Sequence, residues 1–305
     1  MFMKIGWRKS AVNCLVLLAL IVGGLGLIPA ARVVAQIACD PDAGTDVASP
    51  AKAATPVAAV DVTFPQQGGE LRVFAAASLV DAFGEIGGDI QEANPNVSIT
   101  IETAGSQTLV TQLQEGAEAD VLATANASTM TTAVESGLIE GDPQAFTGNR
   151  LVIVTPDGNP AGIESIDDLA GDDINLVVAA ADVPVGNYSR DVLCSYGTSA
   201  DAPEGFIDAV NDNIVSEELD VRSVLAKVHL EEADAGLVYA SDAVAANLAD
   251  TPVTVVEFPD TLNVTATYPI APVAGGNVEL ANAFIAYVLS EPGQATLERY
   301  GFVRP

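Results

Sequence analysis

From residue 71 onward, short apolar runs alternate with amphipathic stretches. Residues 71–77 (LRVFAAA), 97–104 (VSITIETA), 120–125 (DVLATA), 150–156 (RLVIVTP), 175–181 (NLVVAAA) and 235–241 (AGLVYAS) read as strands. They are short, apolar and rich in β-branched residues. Between them, residues 79–94, 108–116, 127–137, 185–197, 220–233 and 242–249 carry apolar side chains at helical spacing. Gly137 closes one of these helices as a left-handed stop. Residues 163–171 and 204–214 predict shorter helices, 253–259 and 265–274 two further strands, and 278–301 a pair of C-terminal helices. Strands alternating with helices predict a parallel α/β architecture.

The junctions hold the candidate chemistry. Ser78 follows a strand and opens a helix, and Ser106 repeats the design in ITIETAGSQTLVTQL. A helix start leaves orphan amides and a positive dipole end, which favour an anion. One such serine is ordinarily a plain helix cap, whereas two in one domain, both among small residues, suggest a site for an oxyanion. Two more helix starts follow, near Val185 after the Pro184 turn and near Val221 after Asp220, a plausible N-cap. Both supply backbone amides that do not depend on the side chain. Tyr239 ends a strand just before a helix, the edge of an open α/β sheet where ligands bind.

Composition narrows the picture. The chain has 305 residues, 49% of them apolar and 5% aromatic, which is ample for an aliphatic core. Residues 1–35 resemble an export signal, with Lys4, Arg8 and Lys9 before an apolar stretch over 11–29 and small residues ahead of Gln36. The competing reading is an uncleaved anchor, because the apolar run approaches the ~20 residues of a membrane span. Cleavage removes four basic groups and no acid, so the net charge moves from −29 to 8 − 41 = −33. That charge argues against nucleic acid and anionic lipid as partners, and means that any anion is held by short-range donors. Residues 36–69, rich in Ala, Asp, Pro and Thr, read as a flexible linker. Cys39 and Cys194 remain after cleavage, and Cys39 is open to three states: lipidated, bridged to Cys194, or free.

Catalytic and cofactor signatures are weak. The chain has one histidine, His229, in the middle of a predicted helix beside apolar positions, where a structural or surface role is expected. There is no GxSxG elbow, Walker A loop, GxGxxG fingerprint or Cys/His cluster with zinc spacing. No cofactor and no catalytic residue is expected.

The segments VFAAASL, AGSQTL, EADVLATA, GNRLVIVTP, DVPVGNYSRDVL, GLVYASDA and LERYGF, in this order over about 71–302, resemble the molybdate-binding proteins of ATP-driven uptake transporters. These are type II periplasmic binding proteins. The resemblance implies two α/β lobes joined by two crossover strands with a ligand cleft between them. Lobe I would be 70–150 with 271–305, and lobe II 151–270. It implies that the hydroxyls of Ser78 and Ser106 meet the amides of Val185 and Val221 and the hydroxyl of Tyr239 around molybdate or tungstate. It further implies an exported monomer that serves a membrane permease. Three departures stand out: Val185 where relatives often have alanine, a serine-poor second loop, and a longer stretch between Cys194 and Val221. Alternatives are a sulfate-type binding protein, a cell-surface hydrolase using a cleft acid, or an adhesion module carried on the linker.

Overall fold

The computed structural model describes residues 36–39 and 62–305. The expected export signal, 1–35, and most of the expected linker, 40–61, lie outside the described residues. Strand β1 (Gly69–Ala76) runs into a 3-10 turn (Ala77–Leu79) and then helix α1 (Val80–Ala93). There follow β2 (Val97–Ala104), α2 (Ser106–Gln114), β3 (Val121–Ala123), α3 (Ala127–Glu135) and β4 (Gln144–Pro156). Next come β5 (Leu176–Ala179), α4 (Pro184–Gly197), α5 (Phe206–Asn213), β6 (Ile214–Glu218), α6 (Val221–His229), β7 (Ala235–Tyr239), α7 (Ala240–Leu248) and β8 (Val253–Glu257). The chain ends with β9 (Thr265–Pro272), α8 (Val278–Leu289) and α9 (Glu291–Arg299).

Strand order is β2-β1-β3-β9-β4-β7-β5-β6, with β8 also paired to β4. In the first lobe β1 lies parallel to β2 and β3, and β9 runs antiparallel to β3. In the second lobe β5 is parallel to both β6 and β7. Strand β4 belongs to both. Its Gln144–Arg150 half pairs antiparallel with β9, and Leu151–Val154 pairs with β7. The chain therefore enters the second lobe along β4 and returns along β9. These are the two crossover strands of the expected two-lobed fold, and they pack side by side beneath the cleft.

Alternation along β1 shows how the sequence builds the first lobe. Val73 and Ala75 face one core with Leu79, Phe83 and Ile86 of the following helix, while Phe74 faces the other with Leu109, Leu113 and Leu122. A strand buried on both faces must be apolar, which is why the strand lacks polar alternation from Val73 on, past the exposed Arg72. The C-terminal helices return to this lobe, where Phe284 meets Phe83 edge-on at 5.5 Å and Phe83 meets Phe146 at 5.7 Å. Truncating such a buried ring costs about 3–5 kcal/mol.

Three elements differ from the sequence reading. Strand β6 was not expected; its Ser216, Glu217 and Glu218 carry no apolar alternation, and it forms as an edge partner of β5. Strand β4 begins at Gln144 instead of Arg150, because buried Thr147 and Asn149 interrupt its apolar run. Helix α6 stops at His229, which is thus an exposed last residue and not a mid-helix one. There it and Lys227 complement the helix dipole.

Both described ends of the 36–69 segment are docked. Cys39 is disulfide-bonded to Cys194 of α4, with the Cα atoms 5.3 Å apart. Buried Ile37 is clamped by Asn211 of α5, which accepts from its N–H at 2.7 Å and donates to its carbonyl at 3.1 Å. Of the three states open to Cys39, the structure holds the bridge. Phe64 is also buried, just before β1. Among the described residues no helix is long and apolar enough to cross a membrane.

Candidate ligand-binding site

From the first lobe, Ser78 lies in the 3-10 turn between β1 and α1, and Ser106 is the first residue of α2. Both are buried. Ser106 Oγ accepts the Ala125 N–H at 3.0 Å, so its own proton is left to donate. Ser78 Oγ lies 2.9 Å from the Tyr268 hydroxyl. Ser78 thus sits one turn earlier than an α-helix start, inside the tight turn that links strand to helix.

From the second lobe, Val185 occupies the second position of α4, behind Pro184, and Val221 the first position of α6. Proline at a helix start removes an amide that would have no helical partner and presets the backbone. Gly186 is required next, since a Cβ there would meet the Ala180 carbonyl oxygen at 2.0 Å. Arg190 holds the same turn by donating to the carbonyls of Ala179 (2.8 Å) and Gly186 (2.9 Å) while paired with Glu217. Asp220 caps α6 as expected, accepting the Ser223 N–H at 2.9 Å with one oxygen and the Ser223 hydroxyl at 2.9 Å with the other. Its carboxylate charge is thereby drawn into the helix cap.

Tyr239 ends β7, fully buried. Its hydroxyl has no hydrogen-bond partner among the described residues, and burial raises its pKa well above the usual tyrosine range, with Tyr268 and Asp242 adding to the shift. The phenol therefore stays protonated and is an unspent donor. Its backbone N–H is held by Asp242 at 3.2 Å. Burial pushes the Asp242 carboxyl up to about 6, against the pull of Arg222, whose Nε lies 2.8 Å away; Asp81 and Asp220 act in the raising direction.

These five residues come together. Ser78, Ser106, Val185, Val221 and Tyr239 line one small cavity of about 10 Å³, along with Ala77, Gly105, Ala125, Val183, Pro184 and Asp220. No lysine or arginine lines it. A space this small excludes a sugar or peptide. The lobes are closed around it. Gln107 of α2 donates to the Leu219 carbonyl across the cleft at 2.9 Å, and Arg222 of α6 reaches Asp81 of α1 at 2.5 Å. Gly105 permits this approach, because a Cβ there would stand 2.4 Å from the Leu219 oxygen. The sequence reading missed Arg222, Asp242, Gln107 and Asn149. Their signal was a polar residue on an otherwise apolar element, which sequence alone cannot separate from solvent exposure.

Among the described residues no cluster of His, Cys, Asp and Glu has the arrangement to hold a metal ion. Residues 71–303 match the bacterial extracellular solute-binding protein family. The chain belongs to that family. The solute-binding protein is 38% identical over 282 residues to the molybdate-binding protein ModA of Mycobacterium tuberculosis H37Rv, covering 92% of this chain and 97% of that one. A solved substrate-binding domain assigned to a molybdenum ABC transporter of Clostridium difficile is 29% identical, covers 77% of this chain and 99% of its own, and superposes with a TM-score of 0.57. The sulfate-binding protein SubI of M. tuberculosis, 19% identical over 76% of this chain and 86% of its own, shares the fold with a TM-score of 0.69. The family resemblance read from the motifs, and the two-lobed type II fold it implied, are borne out.

Proposed function

We propose that the solute-binding protein captures molybdate, and tungstate with it, outside the cytoplasmic membrane and delivers it to the permease of an ATP-driven importer. The observation that supports this reading is that Ser78, Ser106, Tyr239 and the helix starts at Val185 and Val221 line one cavity with no cationic side chain on it. Burying a dianion is costly unless every oxygen is hydrogen-bonded, and charge-assisted bonds from several N–H and O–H donors offset that cost. The roles are the hydroxyls of Ser78, Ser106 and Tyr239 and the main-chain N–H groups of Val185 and Val221. The molybdate-binding name of the 38% identical relative supports the choice of ligand. The protein works without turnover and without a cofactor, as an exported monomer, and the closed lobes are the form the permease recognises.

A sulfate-type reading differs only in the radius of the dianion. Calorimetric titration of the purified, anion-stripped protein with molybdate, tungstate, sulfate and phosphate separates the two. Tight binding of molybdate and tungstate with weaker sulfate and no phosphate is the expected pattern. Tightest binding of sulfate would change the substrate and keep the site. Silence with all four would overturn the oxyanion reading and direct attention to a cleft hydrolase.

A further inference from the structure

The crossover strands carry a polar cluster that none of the five lining residues accounts for. Asn149 of β4, Tyr268 of β9 and Ser241 of α7 are all buried. Asn149 Oδ1 accepts the Arg150 N–H at 3.0 Å and lies 3.5 Å from the Ser241 N–H, which fixes the orientation of its amide. Its Nδ2 therefore faces the Ser241 hydroxyl at 2.7 Å and the Tyr268 hydroxyl at 3.4 Å, and an amide nitrogen only donates. Tyr268 thus receives a proton from Asn149 and has its own to place. Burial keeps that phenol protonated. The Tyr239 hydroxyl is also near, but the acceptor in hydrogen-bond geometry is Ser78 Oγ, at 2.9 Å. Reversing the pair would leave the Tyr268 proton buried against the donor face of Asn149, the costly arrangement.

We infer that Asn149 and Tyr268 form a one-directional relay that locks Ser78 as a hydrogen-bond donor toward the cavity, and that this lock makes the site reject protonated oxyanions. The inference rests on the oxyanion reading above. At Ser106 the same polarity is imposed by a main-chain amide, from Ala125, and cannot be reversed by a side-chain change. At Ser78 it depends on two side chains. A fully deprotonated tetrahedral dianion meets a donor at Ser78, whereas hydrogen phosphate or hydrogen arsenate brings a proton that Ser78 does not accept; the Asp220 carboxylate on the lining is engaged by the Ser223 N–H and hydroxyl. Tyr268 and Asn149 are positioning residues: they act on the ligand through Ser78. Because both lie on the crossover strands, the relay is in place whichever way the lobes move.

The test is a selectivity ratio, which a merely structural role would not move. In Tyr268→Phe the Ser78 hydroxyl can rotate and accept. The expected result is molybdate binding weakened by about tenfold, as for loss of order at one charge-assisted bond, with hydrogen phosphate and hydrogen arsenate binding gained in relative terms. Asn149→Asp reverses the relay, since Tyr268 then donates to the new carboxylate and Ser78 must donate to Tyr268. It should narrow the molybdate-to-phosphate ratio further. Thermal melting checks that each variant folds, and either one alone suffices. A ratio unchanged in a folded variant would overturn the relay, as would wild-type protein binding phosphate as tightly as molybdate. Wild-type protein binding no oxyanion would instead overturn the parent reading.

Discussion

In the proposed site the first lobe supplies two side-chain hydroxyls, Ser78 and Ser106, whereas the second supplies two main-chain amides, at Val185 and Val221, and one phenol, Tyr239; all five residues line the cavity. The hydroxyls depend on residue identity and on partners that set their direction, Tyr268 for one and the Ala125 amide for the other. The amides depend on where a helix begins. In that half the cap at Asp220, the Pro184 turn and the Gly186 close approach matter more than the valine side chains. One half of the site is fixed by chemistry at a residue, the other by backbone geometry, and the two respond differently to substitution.

The sharpest break in that comparison comes from the serines. Ser106→Ala should lose about 1.5–3 kcal/mol of molybdate binding and a further ~1–3 kcal/mol of stability, because it strands the buried Ala125 N–H. Ser78→Ala should lose about as much binding, 1.5–3 kcal/mol, and also some stability, because it strands the buried Tyr268 hydroxyl. Calorimetry and thermal melting on the same samples separate the two losses. Unchanged molybdate affinity in either folded variant would remove that serine from the site.

Next in size is a change that removes an amide and leaves the helix. Proline is tolerated at the first position of a helix, and Asp220 already has the extended backbone (φ −159°, ψ 166°) that a following proline requires. Val221→Pro should therefore cost about 1.5–3 kcal/mol of binding, the worth of a hydrogen bond to a charged group, and keep the melting temperature within a few degrees. Normal affinity in that variant would remove Val221 from the site.

A smaller effect is tied to pH. The Asp242 carboxyl titrates at about 6 in the fold, above its ordinary 3.8, so its contribution to stability is present in acid and is lost as pH rises through 6. Asp242→Asn abolishes that dependence. Between pH 5 and 7 the wild type should lose about 1 kcal/mol relative to the variant in denaturant melts. An opposite slope would mean that Arg222 outweighs burial. Smallest of all, Val185→Ala and Val221→Ala should change affinity by less than about 0.5 kcal/mol, the scale of substitutions that touch no special feature.

The contrast also explains what was legible in the sequence. Helix starts announce themselves through Ser, Asp and Pro at fixed offsets from apolar runs, so the junctions at Ser78, Ser106, Val185 and Val221 could be marked from the sequence, and the family resemblance joined them with Tyr239 into one site. Where this reasoning stops is at polar residues inside apolar elements. Asn149 stands just ahead of the strand read over 150–156 and Tyr268 inside the one read over 265–274, and neither drew attention because the sequence holds no record of what their polar atoms face. Strand β6 was hidden for the opposite reason. Its Glu217 and Glu218 read as a polar connection, yet Arg190 pairs with the first and Lys227 with the second. The bridge from Cys39 to Cys194 spans 155 residues, a separation that carries no spacing signal.

The central claim is that neutral donors from both lobes surround one oxyanion in the cavity between the lobes. An anomalous difference map at the molybdenum edge, from crystals grown with molybdate, tests it most directly. The account predicts a single molybdenum peak inside the cavity, with its oxygens within hydrogen-bond reach of Ser78 Oγ, Ser106 Oγ, Tyr239 Oη and the amides of Val185 and Val221. A peak elsewhere on the protein, or one contacted by lysine or arginine instead of these groups, would contradict it.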